Sequence, residues 1–318
     1  MSTIIKLKEI KSIVKTIDVI GAMEEGFIQY SNGNTVVPPV GELLFDNPPG
    51  DVHIKYGYIK GDDFYVIKIA SGFYNNPKLG IPSGQGMMLL FNQKTGQLEA
   101  VLLDEGHLTD IRTAAAGALA ARYFAPKELI AVGIIGTGVQ AKLQLQHLQE
   151  NNPCRTVWLW GRSKEHAQKL KSEVGDDFDV HIAATCAEVA QNTKLIISTT
   201  PSEIPLLAAG DIKAGTLIVA VGSDTQDKQE LESEILQKAD LVIADSLPQS
   251  KSRGEIYQAV KAGSLKEEKI VELGTAIQDT NLHRRNDEQT IVVDLTGVAV
   301  QDIMIASAVY VHFSRMKQ

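Results

Sequence analysis

The chain has 318 residues, 44% hydrophobic and 22% charged, a balance that suits a soluble globular protein of two domains with real cores. A formal net charge of −8 and a pI near 5.4, with no basic cluster along the polar runs, exclude nucleic acid as the main partner. No continuous apolar stretch has the length of a signal peptide core or a membrane span, so the expectation is a cytoplasmic protein with no membrane partner.

Residues 7–30 predict an amphipathic helical region, because Ile10, Ile13, Val14, Ile17, Ile20, Met23 and Phe27 recur at three- and four-residue spacing. A Pro- and Gly-punctuated segment, 38–50, follows. Strands are then predicted at 52–59, 64–70, 86–91 and 98–103, with turn residues Asn92 to Gly96 joining the last two as a hairpin. These strands should build an antiparallel sheet. An alanine-rich helix is predicted at 108–124, and Ala125-Pro126 breaks it.

Beyond that break, strands at 129–135, 156–160, 180–183, 195–199, 217–221, 241–244 and 290–295 alternate with helices, the pattern of a parallel sheet covered on both faces. A last apolar helix, 298–314, is expected to pack back on the first domain. The predicted fold is therefore α/β: a Rossmann-type, doubly wound parallel-sheet domain over 126–297, with a discontinuous α+β domain made of 1–125 and 298–318.

The most telling motif is Gly133-Ile134-Ile135-Gly136-Thr137-Gly138-Val139-Gln140-Ala141, a strand, a glycine turn and a helix start. Gly136 would permit the tight turn, Gly138 would let backbone amides approach a pyrophosphate, and Ala141 would seat the helix on the sheet. A dinucleotide is the expected ligand. About twenty residues on, where NAD-binding folds usually carry an acid for the ribose hydroxyls, stand Gly161-Arg162-Ser163. Arg162 and Ser163 suit a 2′-phosphate, so NADPH is expected to be preferred, with NADH also possible. Cys154 and Cys186 lie in unrelated contexts without metal-ligand spacing, so no metal site and no disulfide are expected.

Three polar groups could do chemistry. Lys68 sits in the apolar strand Tyr65-Val66-Ile67-Lys68-Ile69-Ala70, sharing a face with Val66 and Ala70. If that face lines a cleft, Lys68 is a cation awaiting an anion; if it meets solvent, it is ordinary. Arg112 lies near the start of the alanine-rich helix with Thr109 and Thr113, an arrangement for phosphate or carboxylate, unless Asp110 simply pairs with a neighbouring base. Asp224 follows Ala220-Val221-Gly222-Ser223 at the carboxyl end of a predicted strand. It could handle protons beside a nicotinamide or cap the helix expected around 230–238.

Several separated motifs, in order, make the chain similar to the ornithine cyclodeaminase/μ-crystallin family over nearly its whole length. They are Val66-Ile67-Lys68 with Asn75-Asn76-Pro77-Lys78-Leu79-Gly80, then Leu108 to Ala116, Ile134 to Ala141, Val221 to Asp224 with Lys228-Gln229-Glu230-Leu231, and Thr296 to Asp302. The resemblance implies a homodimer whose N-terminal sheet domain supplies the subunit interface and substrate site. It implies that Lys68 and Arg112 hold a substrate α-carboxylate, with Thr296 as a further substrate contact, and that Asp224 is the acid/base, with Lys68 also in the catalytic set. It further implies dinucleotide contacts at Ser83, Arg112, Thr113, Gly136, Gly138, Val139, Gln140, Thr200 and Val221.

Two departures choose among the family's activities. The cyclodeaminases carry a further arginine after the first helical region, and Thr35 to Gly41 contains none. Where they place an acid for ornithine's distal ammonium, this chain has Val52-His53-Ile54-Lys55-Tyr56; His53 and Lys55 share a face and would oppose a second ammonium. The expected reaction is therefore reduction of a small cyclic imino acid, Δ1-pyrroline-2-carboxylate to L-proline, with Δ1-piperideine-2-carboxylate to L-pipecolate as a further case, within proline metabolism and hydroxyproline degradation. Alternatives are an ornithine cyclodeaminase and a non-catalytic, crystallin-like NADPH binder. His53, Lys55, Tyr56, Phe73 and Tyr74 could line the pocket rim or pack the sheet.

Overall fold

A computed structural model describes residues 2–73, 75–150 and 152–317. Tyr74, named above for the pocket rim, lies outside the described residues. The chain divides into two compact units, residues 1–112 with 298–318, and residues 113–297.

The first unit opens with strand β1 (Thr3–Lys6), helix α1 (Leu7–Val14) and helix α2 (Val19–Ser31). The single helical region expected at 7–30 is thus two helices. Asp18 divides them because its Oδ1 accepts from Gly21 N at 2.8 Å and starts α2 afresh. Then come β2 (Thr35–Val36), β3 (Gly41–Asp46), β4 (Pro49–Ile59), β5 (Phe64–Phe73), β6 (Gly84–Asn92) and β7 (Leu98–Leu103). They form a seven-stranded sheet ordered β1-β7-β6-β5-β4-β2, with β3 also paired to β4. Neighbours are antiparallel except β1, which runs parallel to β7, so the sheet is mixed rather than purely antiparallel. The β6–β7 hairpin closes as expected: Asn92 Oδ1 accepts from Lys94 N and Thr95 N, and Gly96 takes φ +71°.

Helix α3 (His107–Phe124) leads out of this unit, and the division falls within it, between Arg112 and Thr113, rather than at Ala125-Pro126. The reason is local. Thr113 O accepts from Gln144 Nε2 at 3.3 Å and Phe124 O accepts from Arg284 Nε at 2.8 Å, so the later turns of the helix belong to the second unit.

The second unit runs β8 (Val132–Ile135), α4 (Val139–Gln149), β9 (Thr156–Trp160), α5 (Lys164–Val174), β10 (Asp179–Ile182), α6 (Cys186–Asn192), β11 (Leu195–Ser198), β12 (Leu217–Ala220), α7 (Ser233–Lys238), β13 (Leu241–Ala244), α8 (Gly254–Lys261), β14 (Ile270–Glu272), α9 (Leu273–Gln278) and β15 (Ile291–Asp294). Its eight strands are ordered β10-β9-β8-β11-β12-β15-β13-β14, and all are parallel. The middle strands are wholly buried and dominated by Val, Ile and Leu, as a sheet covered on both faces requires. β14 has no counterpart in the sequence reading: three half-buried residues are too few for a periodicity to show. After β8 the chain winds to one side through β9 and β10, then returns to the other side at β11. The carboxyl ends of β8 and β11 therefore bound a topological switch point, where ligands of such sheets bind.

The chain then re-enters the first unit as α10 (Ala299–Met316), which packs on α2 and on β4, β5 and β6. Fully buried Phe27, Met23, Met88, Leu90 and Val300 form part of this core, each such large side chain stabilising by about 1.5–3 kcal/mol.

Candidate functional site

Within the first unit, strand alternation turns Lys68 inward, and its side chain is buried. Its ammonium is paired within the chain: Lys68 Nζ lies 3.1 Å from Asp302 Oδ2, in the first turn of α10. Arg112 reaches the same carboxylate, Nε donating to Asp302 Oδ1 at 3.1 Å while Nη1 donates to Gln301 Oε1 at 3.0 Å. Gln301 answers by donating from Nε2 to Arg112 O at 3.3 Å, and its Oε1 also accepts from Val298 N at 3.2 Å. Two buried cations thus converge on one buried acid from a strand and a helix.

The cluster's electrostatics follow from burial. Desolvation pushes the Lys68 ammonium down to about 8, with Asp302 opposing the fall and Arg112 adding to it. Burial would raise the Asp302 carboxyl, but Lys68, Arg112 and Lys55 together hold it below its ordinary value. Lys55 is buried and pairs in register with Lys68 across β4 and β5, so it belongs to this face, and His53, opposite Ala70, shares it. His53 Nε2 stands 3.8 Å from Glu42 Oε1 on β3. Tyr56 alternates to the opposite, more exposed face, and Phe73 packs on Phe45 with ring centroids 5.4 Å apart.

Arg112 does not sit at a helix end. The helix begins at His107, and the Leu108 amide is taken by Asp104 Oδ2 at 2.8 Å. Asp104 therefore takes one of the opening amides, and Arg112 pairs with Asp302 from the second turn of the helix. Ser83 lies in the loop before β6, its carbonyl accepting from Phe73 N at 2.9 Å.

In the second unit, the expected nucleotide-contacting residues all follow strand ends except Thr113 on α3. Gly136 takes φ +124° directly after β8; its N donates to Trp160 O at 2.9 Å, and a side chain there would collide with Thr199. Only glycine fits. Gly138 is the residue before α4, no side chain caps that helix, and a Cβ at Gly138 would meet nothing within 4 Å. Val139 and Gln140 are the first residues of α4, so a tight glycine turn runs straight into a helix start, and the residues present fit a dinucleotide's pyrophosphate. Arg162 is exposed just past β9. Ser163 caps α5 by accepting from His166 N at 3.3 Å, so its oxygen already has a structural task.

Asp224 Oδ1 accepts from Lys228 Nζ at 2.6 Å, and its side chain is 43% exposed. It does not cap a helix: α7 begins only at Ser233, with Glu232 before it. Thr296 is buried, donating from Oγ1 to Asp245 Oδ1 at 2.9 Å and accepting from Gln249 Nε2 at 2.8 Å. That bonding ties two strand ends within the second unit, and it offers no support for the substrate contact expected of Thr296. Thr200 follows β11 and donates to Glu230, and Val221 follows β12, its N donating to Ser198 O at 2.9 Å. Both cysteines are free, and burial pushes the Cys186 thiol up to about 12.

The sequence reading gave no role to Asp302, Gln301 or Glu230, although all three stand in quoted motifs. A carboxylate inside the apolar helix Ala299–Met316 was the available signal for Asp302.

Comparison with known proteins identifies the family and the fold. The sequence profile described as "Ornithine cyclodeaminase/mu-crystallin family" matches residues 2–317. A Sinorhizobium fredii protein named as an uncharacterised cyclodeaminase is 36% identical over 307 residues, 95% of this chain and 93% of that one. The solved structure of an archaeal alanine dehydrogenase dimer with bound NAD has a TM-score of 0.90 at 31% identity, covering 100% of this chain and 97% of that one. The Thermococcus litoralis Δ1-pyrroline-2-carboxylate reductase, solved with NADH and L-proline, has a TM-score of 0.91 at 25% identity, with 99% and 98% covered.

Proposed function

The chain belongs to the ornithine cyclodeaminase/μ-crystallin family, and from that premise we propose that it is a nicotinamide-dependent oxidoreductase that reduces small cyclic imino acids. Δ1-pyrroline-2-carboxylate, giving L-proline, is the leading substrate, and Δ1-piperideine-2-carboxylate, giving L-pipecolate, is the second. NADPH is the preferred reductant, and NADH an admissible one.

The observation that carries this reading is the convergence of buried Lys68 and Arg112 on Asp302. Two cations face one anion there, so a substrate carboxylate finds compensating charge in a place water does not screen. Lys55, in register with Lys68, adds a third cation to the same face and opposes a substrate with a second ammonium. That disfavours ornithine cyclodeamination. Anchoring the carboxylate also fixes the adjacent imine carbon, and orientation supplies much of the rate.

When bound, the reduced nicotinamide supplies the hydride that adds to that carbon. Protonation of the ring nitrogen makes the carbon more electrophilic. We assign to Asp224 the stabilisation of that cation and the delivery or relay of its proton. Lys228 holds Asp224 Oδ1 and restricts the carboxylate's rotamers. Arg162 beside Ser163, with no acid at the end of β9, supports the preference for a 2′-phosphate.

A homodimer through the first unit is part of the same reading. Its support is the exposed apolar edge of β3, where Leu43, Leu44 and Phe45 are 54%, 77% and 43% exposed. Sedimentation at micromolar concentration tests it, and a monomer there refutes it.

The deciding experiment follows absorbance at 340 nm with NADPH and freshly prepared Δ1-pyrroline-2-carboxylate, beside L-ornithine with NAD⁺ and an ammonia assay. Loss of NADPH with no ammonia from ornithine supports the proposal. Ammonia without net change in cofactor would make the protein a cyclodeaminase. Dinucleotide binding with neither turnover would leave a binding protein.

A further inference from the structure

The carboxyl ends of β11 and β12 emerge side by side, and one buried side chain ties them together. Glu230 Oε1 accepts from Thr200 N at 2.6 Å and from Thr200 Oγ1 at 2.7 Å; its Oε2 accepts from Ser198 Oγ at 2.8 Å and from Gly222 N at 3.0 Å. Both oxygens are therefore used twice, by donors from two strand ends, and the residue is 0% exposed.

Its own backbone is equally committed. Glu230 N donates to Glu255 Oε1 at 2.7 Å, and Glu230 O accepts from Leu206 N at 2.7 Å and Leu207 N at 3.2 Å. Gly222 is shaped to the same contact, since a side chain there would collide with the Thr200 backbone and the Glu230 carboxylate. Burying a carboxylate is costly, and only an acceptor-only group satisfies four converging donors without presenting a hydrogen of its own. Plain packing would have been served better by an apolar side chain.

We propose that Glu230 is a positioning residue for the dinucleotide: it sets the separation and orientation of the Thr200 and Val221–Gly222 backbones without touching the cofactor. This rests on the reading above that Thr200 and Val221 contact the dinucleotide. The Glu230 carboxylate holds both contacts to one geometry, so that binding does not have to order them.

The test is direct titration of NADPH, and of NADH, into the full-length protein, followed by nucleotide fluorescence and independent of turnover. Glu230→Gln keeps the size but turns one acceptor into a donor facing donors. Its dissociation constant should rise by about tenfold or more, as loss of charge-assisted hydrogen bonds implies. In turnover, KM for the dinucleotide should rise while kcat falls less. Glu230→Asp retains the charge but lacks the reach to serve both strand ends, and should fall between. Should Glu230→Gln fail to fold, Ser198→Ala removes one buried donor from a residue beneath the site and should raise the constant by about threefold. Folded variants that bind within about twofold of the unaltered protein would overturn the positioning role and leave the dinucleotide reading intact. Failure of the unaltered protein to bind either dinucleotide would overturn both.

Discussion

Asp302 Oδ2 lies 3.1 Å from Lys68 Nζ, with the lysine side chain 3% and the aspartate 1% exposed. The contact joins a strand near the start of the chain to the last helix. It makes the buried charge cluster, the proposed substrate anchor, a shared property of both ends of the first unit. Asp302 spaces and orients Lys68 and Arg112, so its removal reaches folding and binding together.

Asp302→Asn should lower unfolding free energy by about 3–5 kcal/mol, because two buried cations lose their compensating charge. Urea denaturation of the variant measures this, and a loss below about 1 kcal/mol would show that the pair behaves like a surface ion pair.

Affinity for the substrate carboxylate should weaken as pH rises through about 8, where the buried Lys68 ammonium gives up its proton. The sign follows from charge: the cation that attracts the anion is present below that pH and lost above it. Inhibition by a simple carboxylate such as L-proline, measured between about pH 6.5 and 9.5, should weaken toward a limit of about tenfold per unit. In Lys68→Met the affinity should be low throughout and the slope absent.

Asp224→Asn should reduce kcat by about 10²–10⁴-fold with little change in dinucleotide affinity, as expected for a group acting on the proton in the chemical step. Steady-state kinetics with saturating cofactor would show it. An unchanged kcat would remove Asp224 from the mechanism.

Arg162→Ala should raise the dissociation constant for NADPH by about tenfold and leave that for NADH nearly unchanged, since the guanidinium would pair only with the 2′-phosphate. Parallel titrations with the two cofactors separate this from general damage to the site. Equal losses for both would assign Arg162 a structural role.

Stability should fall as pH rises between about 5 and 8. Burial pushes the Asp294 carboxyl up to about 8, and Glu255 is also raised well above its ordinary value by burial. Between each group's unfolded and folded values the native state binds more protons, so the stabilisation present in acid is lost as pH climbs. Asp294→Asn keeps an acceptor for Ile256 N, which Asp294 Oδ2 now serves at 2.9 Å, and removes one titrating group. Its melting temperature should depend less steeply on pH across this window, and an unaltered slope would contradict the assignment.

Much of this was legible in residue order. The buried strand runs, the glycine turn at Gly136 and the alanine-rich helix are local signals, because burial on both faces, a positive φ and helix propensity each act through neighbouring residues. β3 was missed because its side chains from Glu42 to Asp46 are exposed and carry no alternation. The pairings were hidden for another reason. Arg112 stands beside Asp110 in sequence, yet it meets Asp302, a hundred and ninety positions away along the chain.

The sequence by itself determined the family, the two-unit α/β architecture and the candidate cations Lys68 and Arg112, since these depend on residue type, period and the order of motifs. The tertiary structure alone decided what those cations meet. Asp302 and Glu230 become informative only when the chain folds back and removes water, because an ordinary solvated carboxylate and a buried one holding two cations or four donors are the same residue until burial makes their partners obligatory.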